Sequence, residues 1–532
     1  MKWIIVTVIS AWLVTAPFAD THYVSLEGGN QSPYTTWQNA ANNIQSAVDA
    51  ATVGDTVLVS NGTYLISTQI VVTNKITLLG LNGYSNTLVA ADWPAYTTRC
   101  VTVSGTSVID GLSFSNGHVL SSITNDNGGG MWANGGTKIQ NCWFGFNYCS
   151  NSTEVANGLG GGGLWISNGI VSNCVFYSNT AFLGGGAISA YLNSPVKVTH
   201  STIISNIVFL FTGQSAFGGG VWGAGGNAAA CVISNSLIAN NNFSMAGGNG
   251  YGGGIHACWI THSILRNNPA NSGGDMYKGY ASNTIIEGNI ATAAGGGATA
   301  SSATLVIYGC DIIGNIASQG GGVRINIGSQ NQKIQNCTIS NNSAVTGGGL
   351  FCQNGGVVLN CIINNNTNTS SISWGGGAYL NNFSSGTVPG SLENCTITDN
   401  YSSNDCGGVY VMGSTNLIYN CVIAGNRSFS NKYTDVYTDA TRAGTNCFYN
   451  CLVGVTDLVV NADNRNIYGD PKFKNPAGDY RLAADSACVN AGTNRSWITN
   501  ALDLTGSIRI RYGTVDMGAY EVLYQGLLFQ AR

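Results

Sequence analysis

The chain has 532 residues, of which only 8% are charged, and 20 Lys+Arg against 24 Asp+Glu leave a formal net charge of -4. So few charges of either sign exclude an electropositive track for a nucleic-acid backbone. Gly contributes 73 residues while hydrophobic residues hold 44% and aromatics 10%, which excludes disorder; 8 Pro exclude collagen.

The chain opens on Lys2, the mostly apolar run 3–14 and then small residues, the layout of a secretory signal peptide, with cleavage expected after Ala19. A dozen apolar residues are too few to span a bilayer, and no later run reaches 18, so no transmembrane segment is expected in the mature chain. Next, Trp37, Ala40, Ile44, Ala47, Val48 and Ala51 fall at helical spacing and Gly54 ends the pattern, which predicts an amphipathic cap helix within an N-terminal cap, 20–75.

Residues 76–455 read as the coils of one repeat domain, and over 128–426 two signatures alternate. The first, C-x-[FIL]-x-x-N or its Ser/Thr variant, occurs eleven times, ending at Asn147, Asn179, Asn206, Asn241, Asn268, Asn289, Asn315, Asn342, Asn366, Asn400 and Asn426, about 28 residues apart. The second is a Gly triplet, or a near variant, followed by an apolar residue, from Gly128-Gly129-Gly130-Met131 to Cys406-Gly407-Gly408-Val409. Segments such as Cys337-Thr338-Ile339 alternate in period two and read as short strands. The Asn after each strand is expected to take a left-handed turn and to hydrogen-bond to its counterpart one coil on, and the Gly triplets are expected to be tight corners. Short strands, corners and no helical period predict an all-β fold, a parallel β-helix with its ends capped. Residues 456–532 carry more charge and a different pattern, and read as a C-terminal cap.

Three stretches carry resemblances. Ile44-Gln45-Ser46-Ala47-Val48-Asp49-Ala50-Ala51, Gly54-Asp55-Thr56-Val57, Gly62-Thr63-Tyr64 and Ile76-Thr77-Leu78-Leu79-Gly80 look like the opening of bacterial pectate-lyase-like right-handed β-helix proteins. The paired signatures over 128–426 resemble the GGA[ILV] and FxxN repeats of chlamydial polymorphic outer membrane proteins. The tail, with Asp470-Pro471-Lys472-Phe473, Asp479-Tyr480-Arg481-Leu482, Asn490-Ala491-Gly492, Asp503-Leu504-Thr505-Gly506 and Asp516-Met517-Gly518-Ala519-Tyr520-Glu521, looks like the choice-of-anchor Q domain of exported bacterial proteins. These resemblances imply a single-stranded right-handed parallel β-helix in an exported protein, extracellular or at the cell surface, with association with an outer membrane as one alternative. The polymorphic family also carries an autotransporter barrel, and no run of alternating ten-residue strands marks one here.

Sixteen Cys in an exported protein raise the question of disulfides. Cys142, Cys174, Cys310, Cys337, Cys361, Cys395 and Cys421 share one repeat position and are expected to stack as buried thiols; Cys447, Cys451 and Cys488 are the bridge candidates.

The residue after each triplet is apolar and faces the interior; the one after that faces outward. Those outward positions are Trp132, Trp165, Ile188, Trp222, His256, Tyr277, Thr299, Arg324, Phe351, Tyr379 and Tyr410, seven of them aromatic. Such a stripe offers flat faces to sugar rings, with a polysaccharide or cell-surface glycan as partner, unless the loops before each triplet cover it as a second core. In related lyases, the resemblance implies, substrate lies along one strand face walled by variable loops. A lyase needs a basic Arg or Lys and usually calcium, and a hydrolase needs paired carboxylates. The candidates for either are Asp275, Lys278, Glu287, Asp311 and Arg324, with His256; no cofactor is expected, calcium excepted for a lyase. The expectation is a glycan-binding, adhesin-like or structural protein, with a polysaccharide lyase or glycoside hydrolase on acidic polysaccharide as the alternative. Convergence of acidic and basic groups in one groove would discriminate them.

Overall fold

The computed structural model describes residues 19–523 apart from 121–126, 151–159, 192–193, 211, 225–229, 245–247, 302, 327–331, 372–373, 383–389, 414–415, 440–446 and 455–463. Residues 1–18 of the expected signal peptide lie outside the described residues. Strands of two to ten residues pair in parallel, each with its counterpart one coil on, and build the expected parallel β-helix. One sheet collects the strands that follow the Gly triplets and those that follow the next bend. A second collects the Cys-x-[FIL] strands, from Gly62–Ile66 to Ile467–Tyr468. The third side is made of a five-stranded and a nine-stranded sheet. Pairing starts with Thr21–Val24 on Thr56–Val59, so strands of the N-terminal cap are already coils of the solenoid. The cap helix is shorter than its apolar spacing predicts. It spans Ile44–Ala50, with the Asn43 side chain accepting from Ser46 N at 2.9 Å; buried Ala40 and 40%-exposed Trp37 precede it in a turn. Among the described residues, no helix is long and apolar enough to cross a membrane.

The interior is one continuous apolar column in which each coil contributes β-branched, Leu or Phe side chains, such as stacked Phe114, Phe144 and Phe176. All sixteen Cys are buried free thiols. Cys451, a bridge candidate by sequence, instead extends the stack: Cys421 N donates to its Sγ at 3.4 Å, as Cys310 N does to Cys337 Sγ. Cys447 and Cys488 are likewise free, so no bridge forms among the three.

The Asn ladder forms as expected, and its hydrogen-bond logic is complete. Asn315 Oδ1 accepts from both N and Nδ2 of Asn289 at 2.9 Å. Its own Nδ2 donates to Ile286 O at 2.9 Å and to Asn342 Oδ1 at 3.0 Å, so a fully buried amide satisfies all four of its hydrogen-bonding capacities. The left-handed residue is the one before the ladder Asn rather than the Asn itself: Phe146, Ser178, Asn240 and Asn341 have φ of 58°, 51°, 55° and 57°. The ladder runs from Asn147 to Asn426 and ends on Asp435 Oδ1, which accepts from Asn426 N and Nδ2 at 2.9 and 2.8 Å.

The Gly triplets are corners for two reasons. The first Gly is left-handed, with φ of 62° at Gly347, and a Cβ on the second would lie 2.5 Å from Gly376 O of the next coil.

The tail does more than close the end. Past Tyr468 it makes the antiparallel pair Phe473–Asn475 with Asp479–Leu482, then lies along the outer face of the second sheet. There Leu482, Cys488 and Met517 pack on outward-facing Val422 and Leu452, and Tyr480 and Ala519 on Ile362. Asn360, Asn394, Asn420 and Asn450, one per coil, donate to tail carbonyls of Leu502, Asp516, Thr493 and Ala491. Fully buried Arg509 reaches Asn360 Oδ1, Gly518 O at 2.7 Å and the Glu521 carboxylate at 3.1 Å.

Candidate functional site

The aromatic stripe is in register except in one coil, and most of it is covered. Ser189 rather than Ile188 stands between Trp165 and Trp222, and Ile188 points into the interior, because left-handed Gly185 starts that corner and Ala187 takes its third position. Trp132 and Trp165 stack at 5.1 Å with planes 5° apart, and His256 and Tyr277 at 5.5 Å and 6°. Trp165, Trp222, Phe351, Tyr379 and Tyr410 are nonetheless at most 7% exposed; only Trp132 and Tyr277 of the seven aromatics are partly open. The segments before the triplets supply the cover. Phe217 packs on Trp222 and His256, Tyr251 on Tyr277, and Trp374 on Tyr379 and Tyr410, so the stripe forms a second core outside the sheet. As a row of faces open to sugar, the stripe is corrected by this burial.

The six candidates for catalysis do not converge. Glu287 and Asp311 project from the second sheet, Glu287 4.0 Å from Arg266, whereas His256, Lys278 and Arg324 belong to the first. Asp275 faces neither. It replaces the third Gly of its triplet, is fully buried, and its Oδ1 takes the Asn268 Nδ2 that elsewhere goes to the next ladder Asn. Its Oδ2 has no partner, and burial pushes the carboxyl well above the usual range. His256 Nδ1 and Arg324 Nε are also buried without partners. Burial, reinforced by Lys278, holds the His256 imidazole well below its ordinary value and therefore neutral. Arg324 lies 5.5 Å from the Phe351 ring centre, and burial lowers its guanidinium and the Lys278 ammonium. Among the described residues, no group of three or more His, Cys, Asp or Glu is arranged to hold a metal ion.

The open surface lies on the other half of the first sheet, on the strands after the bend. Strict alternation buries Ile139, Val198, Ile233, Ile260, Ala281 and Ile307, and turns their neighbours outward in two rows. One row is Lys138, Ile170, Lys197, Val232, Trp259, Tyr280, Val306 and Lys333. The other is Gln140, Ser172, Thr199, Ser234, Thr261, Ser282, Tyr308 and Gln335. Trp259 is 43% and Tyr308 40% exposed, and Trp259 and Tyr280 lie 5.4 Å apart, tilted by 42°. Lys197 and Lys333 sit two coils to either side of this pair, roughly 24 Å apart at the strand spacing. Over these eight coils neither row contains a carboxylate; the second continues in register to Asp110, whose carboxylate accepts from Gln140 Nε2 and Asn141 Nδ2, each at 2.8 Å. The face thus combines an aromatic platform, a line of hydroxyls and two lysines, Lys197 and Lys333, with no carboxylate between them in either row.

Sequence reasoning missed it because it followed the Gly triplets, which mark the covered strand. The available signal was the alternation in Cys258-Trp259-Ile260-Thr261, where an aromatic faces away from two interior residues.

No family model and no curated protein sequence matches this chain. Among solved structures it is similar to a pectin methylesterase in complex with a hexasaccharide, at 12% identity over 48% of this chain and 80% of that one, with a TM-score of 0.28. It is also similar to the pectate lyase Pel9A, at 13% identity, 94% and 97% coverage and a TM-score of 0.23. The third is XylC with xylose, at 9% identity, 95% and 99% coverage and a TM-score of 0.30. At such identities and scores none of them says what this chain binds.

Proposed function

We propose that this is an exported β-helix protein, extracellular or at the cell surface, that binds polysaccharide along the open half of its first sheet and favours chains bearing carboxylates. The observation that carries this reading is exposed Trp259 beside half-buried Tyr280, set between Lys197 and Lys333 on a stretch of face with no carboxylate between Gln140 and Gln335. Aromatic faces at strand spacing suit stacking, and lysines flanking them suit acidic groups. The motif resemblances to polymorphic outer membrane protein repeats and to choice-of-anchor Q domains support export and a surface setting. Binding is preferred to catalysis because the acidic candidates Glu287 and Asp311 stand on a different sheet from His256, Lys278 and Arg324.

The test is retention of the purified protein on polygalacturonate and on neutral galactan, with reducing ends and ultraviolet-absorbing unsaturated products followed in parallel. Trp259→Ala with Tyr280→Ala is expected to weaken polygalacturonate binding at least tenfold while leaving Tm nearly unchanged. The buried Trp165→Ala change should instead lower stability by about 3 kcal/mol or more, the usual cost of emptying an aromatic site. Unaltered retention in the Trp259 and Tyr280 double variant would remove the face from consideration. Product formation abolished by Arg324→Ala or Lys278→Ala would make the protein a lyase or hydrolase.

A further inference from the structure

The open face stops abruptly at one end, and the reason is the tail. In the hydroxyl row Gln335 is followed in register by Leu359 and Glu393, which are only 3% and 6% exposed. Trp497 Nε1 donates to Glu393 Oε2 at 2.7 Å, Arg495 Nε to the same oxygen at 3.3 Å, and the Arg495 guanidinium lies 4.1 Å over the Tyr419 ring. Asn360 Nδ2 holds Leu502 O at 3.1 Å. Residues 496–502 therefore stand across the face as a wall. At the foot of that wall is a cavity of about 460 Å³ lined by Tyr308, Gln335 and Asn336 from the face and by Trp497, Asn500 and Leu502 from the tail.

The chemistry of this cavity differs from that of the rows leading to it. Its lining includes no charged side chain, and the Glu393 carboxylate behind the wall is already occupied by Arg495 and Trp497. Asn336 is engaged, donating to Tyr308 Oη at 3.1 Å and accepting from Asn360 Nδ2 at 2.8 Å. The side-chain amides of Gln335 and Asn500 have no hydrogen-bond partner among the described residues, and each offers a donor and an acceptor. Two aromatic side chains and two free amides suit the hydroxyl-bearing edge of a sugar ring. A carboxylate on that ring would be met outside the cavity by Lys333, which faces the same side two residues before Gln335.

We infer that this cavity is a terminal subsite: a glycan laid along the face from Lys138 towards Lys333 ends there, and the protein selects chain ends over chain interiors. The inference rests on the glycan-binding reading of the face. A polymer interior would have to climb over 496–502, whereas an end can seat its last ring against Trp497.

The experiment measures affinity of the full chain for oligogalacturonides with both ends free, with the reducing end capped by a bulky label, and with the non-reducing end capped. Capping one particular end is expected to weaken binding about tenfold, and capping the other to have little effect. Asn500→Ala, an exposed change in the tail that leaves the wall's bonds to Glu393 in place, should erase most of that difference and leave affinity for the capped ligand as it was. Equal affinity for all three ligands in the unaltered protein, with binding still dependent on Trp259, would overturn the terminal subsite while leaving the glycan-binding face standing. Absence of binding to any of them would overturn both.

Discussion

Asp275 shows how much one side chain can disturb an otherwise regular column. The third Gly of each triplet sits against the ladder amide, where a Cβ at Gly349 would come within 2.8 Å of Asn366. Asp275 puts a whole carboxyl into that space, diverts Asn268 Nδ2 to its Oδ1 and leaves Oδ2 without a partner. Burial raises its pKa well above normal, and the bonds from Asn268 and Asn289 only partly offset this. A carboxyl whose folded pKa is raised costs no stability below its unfolded value near 3.9, and costs about 1.4 kcal/mol per pH unit above it until the folded pKa is reached. We therefore expect Asp275→Asn, which keeps an acceptor for Asn268 and cannot ionise, to raise Tm at pH 7 and to gain much less at pH 4. Thermal melts of both proteins at the two pH values decide it; an equal gain at each would mean that the carboxyl's ionisation is not the cause.

At the scale of the element, the turn between second and third sheets is built by two adjacent residues with separate tasks. The left-handed position takes Ser, Asn or Gly in most coils and even Phe146, because it is exposed and only its backbone is constrained. The next position takes Asn without exception over eleven coils, because only an amide both accepts twice and donates twice in this geometry. Asn315→Ala removes four hydrogen bonds, taking the acceptor from buried Asn289 N and leaving Asn289 Nδ2 only its 3.5 Å bond to Leu265 O, and is expected to cost about 3 kcal/mol or more. Asn341→Ala, one residue away, loses only a left-handed preference and should cost about 1 kcal/mol. Denaturant midpoints of the two variants test this; similar losses would contradict the division of labour. The cap helix teaches the converse lesson. Trp37 and Ala40 share the spacing of Ile44 and Ala47, yet the residues before Asn43 turn away, since Asn43 caps the helix by accepting from Ser46 N.

For the whole molecule, the decisive feature is a tail that runs back along the solenoid and is pinned by a buried charge. Burial, reinforced by Asp516 and Asp503 and opposed by Arg509, pushes the Glu521 carboxyl up to about 8. Its folded pKa lies above its unfolded value near 4.3, so its contribution is complete below that value and declines as pH rises through 8. The tail should therefore become more sensitive to protease between pH 6 and pH 9, and Glu521→Gln should flatten that rise. Arg509→Met removes the buried cation from beside the Glu521 carboxyl and the donor to Asn360 Oδ1, and is expected to cost about 3–5 kcal/mol of tail docking, read as early cleavage within 464–523 while the coils stay resistant. Cleavage distributed evenly over the chain would show that tail and solenoid unfold as one unit.

The sequence by itself determined the parallel β-helix, its coil length, the ladder, the glycine corners and the thiol stack. Each follows from a constraint repeated in every coil: period-two alternation, an amide that must satisfy itself, a backbone with no room for Cβ. Only the tertiary structure decided which outward faces stay open. Trp222 and Trp259 are both tryptophans turned outward from the same sheet, but Phe217 packs on the first and leaves it 5% exposed, whereas the second is 43% exposed. The same holds for Glu393, which no local pattern links to Trp497 more than a hundred residues later. Cover and end wall come from segments distant in sequence or without the repeat's period, so nothing local records where they land; the repeat writes the scaffold and the non-repeating chain writes the site.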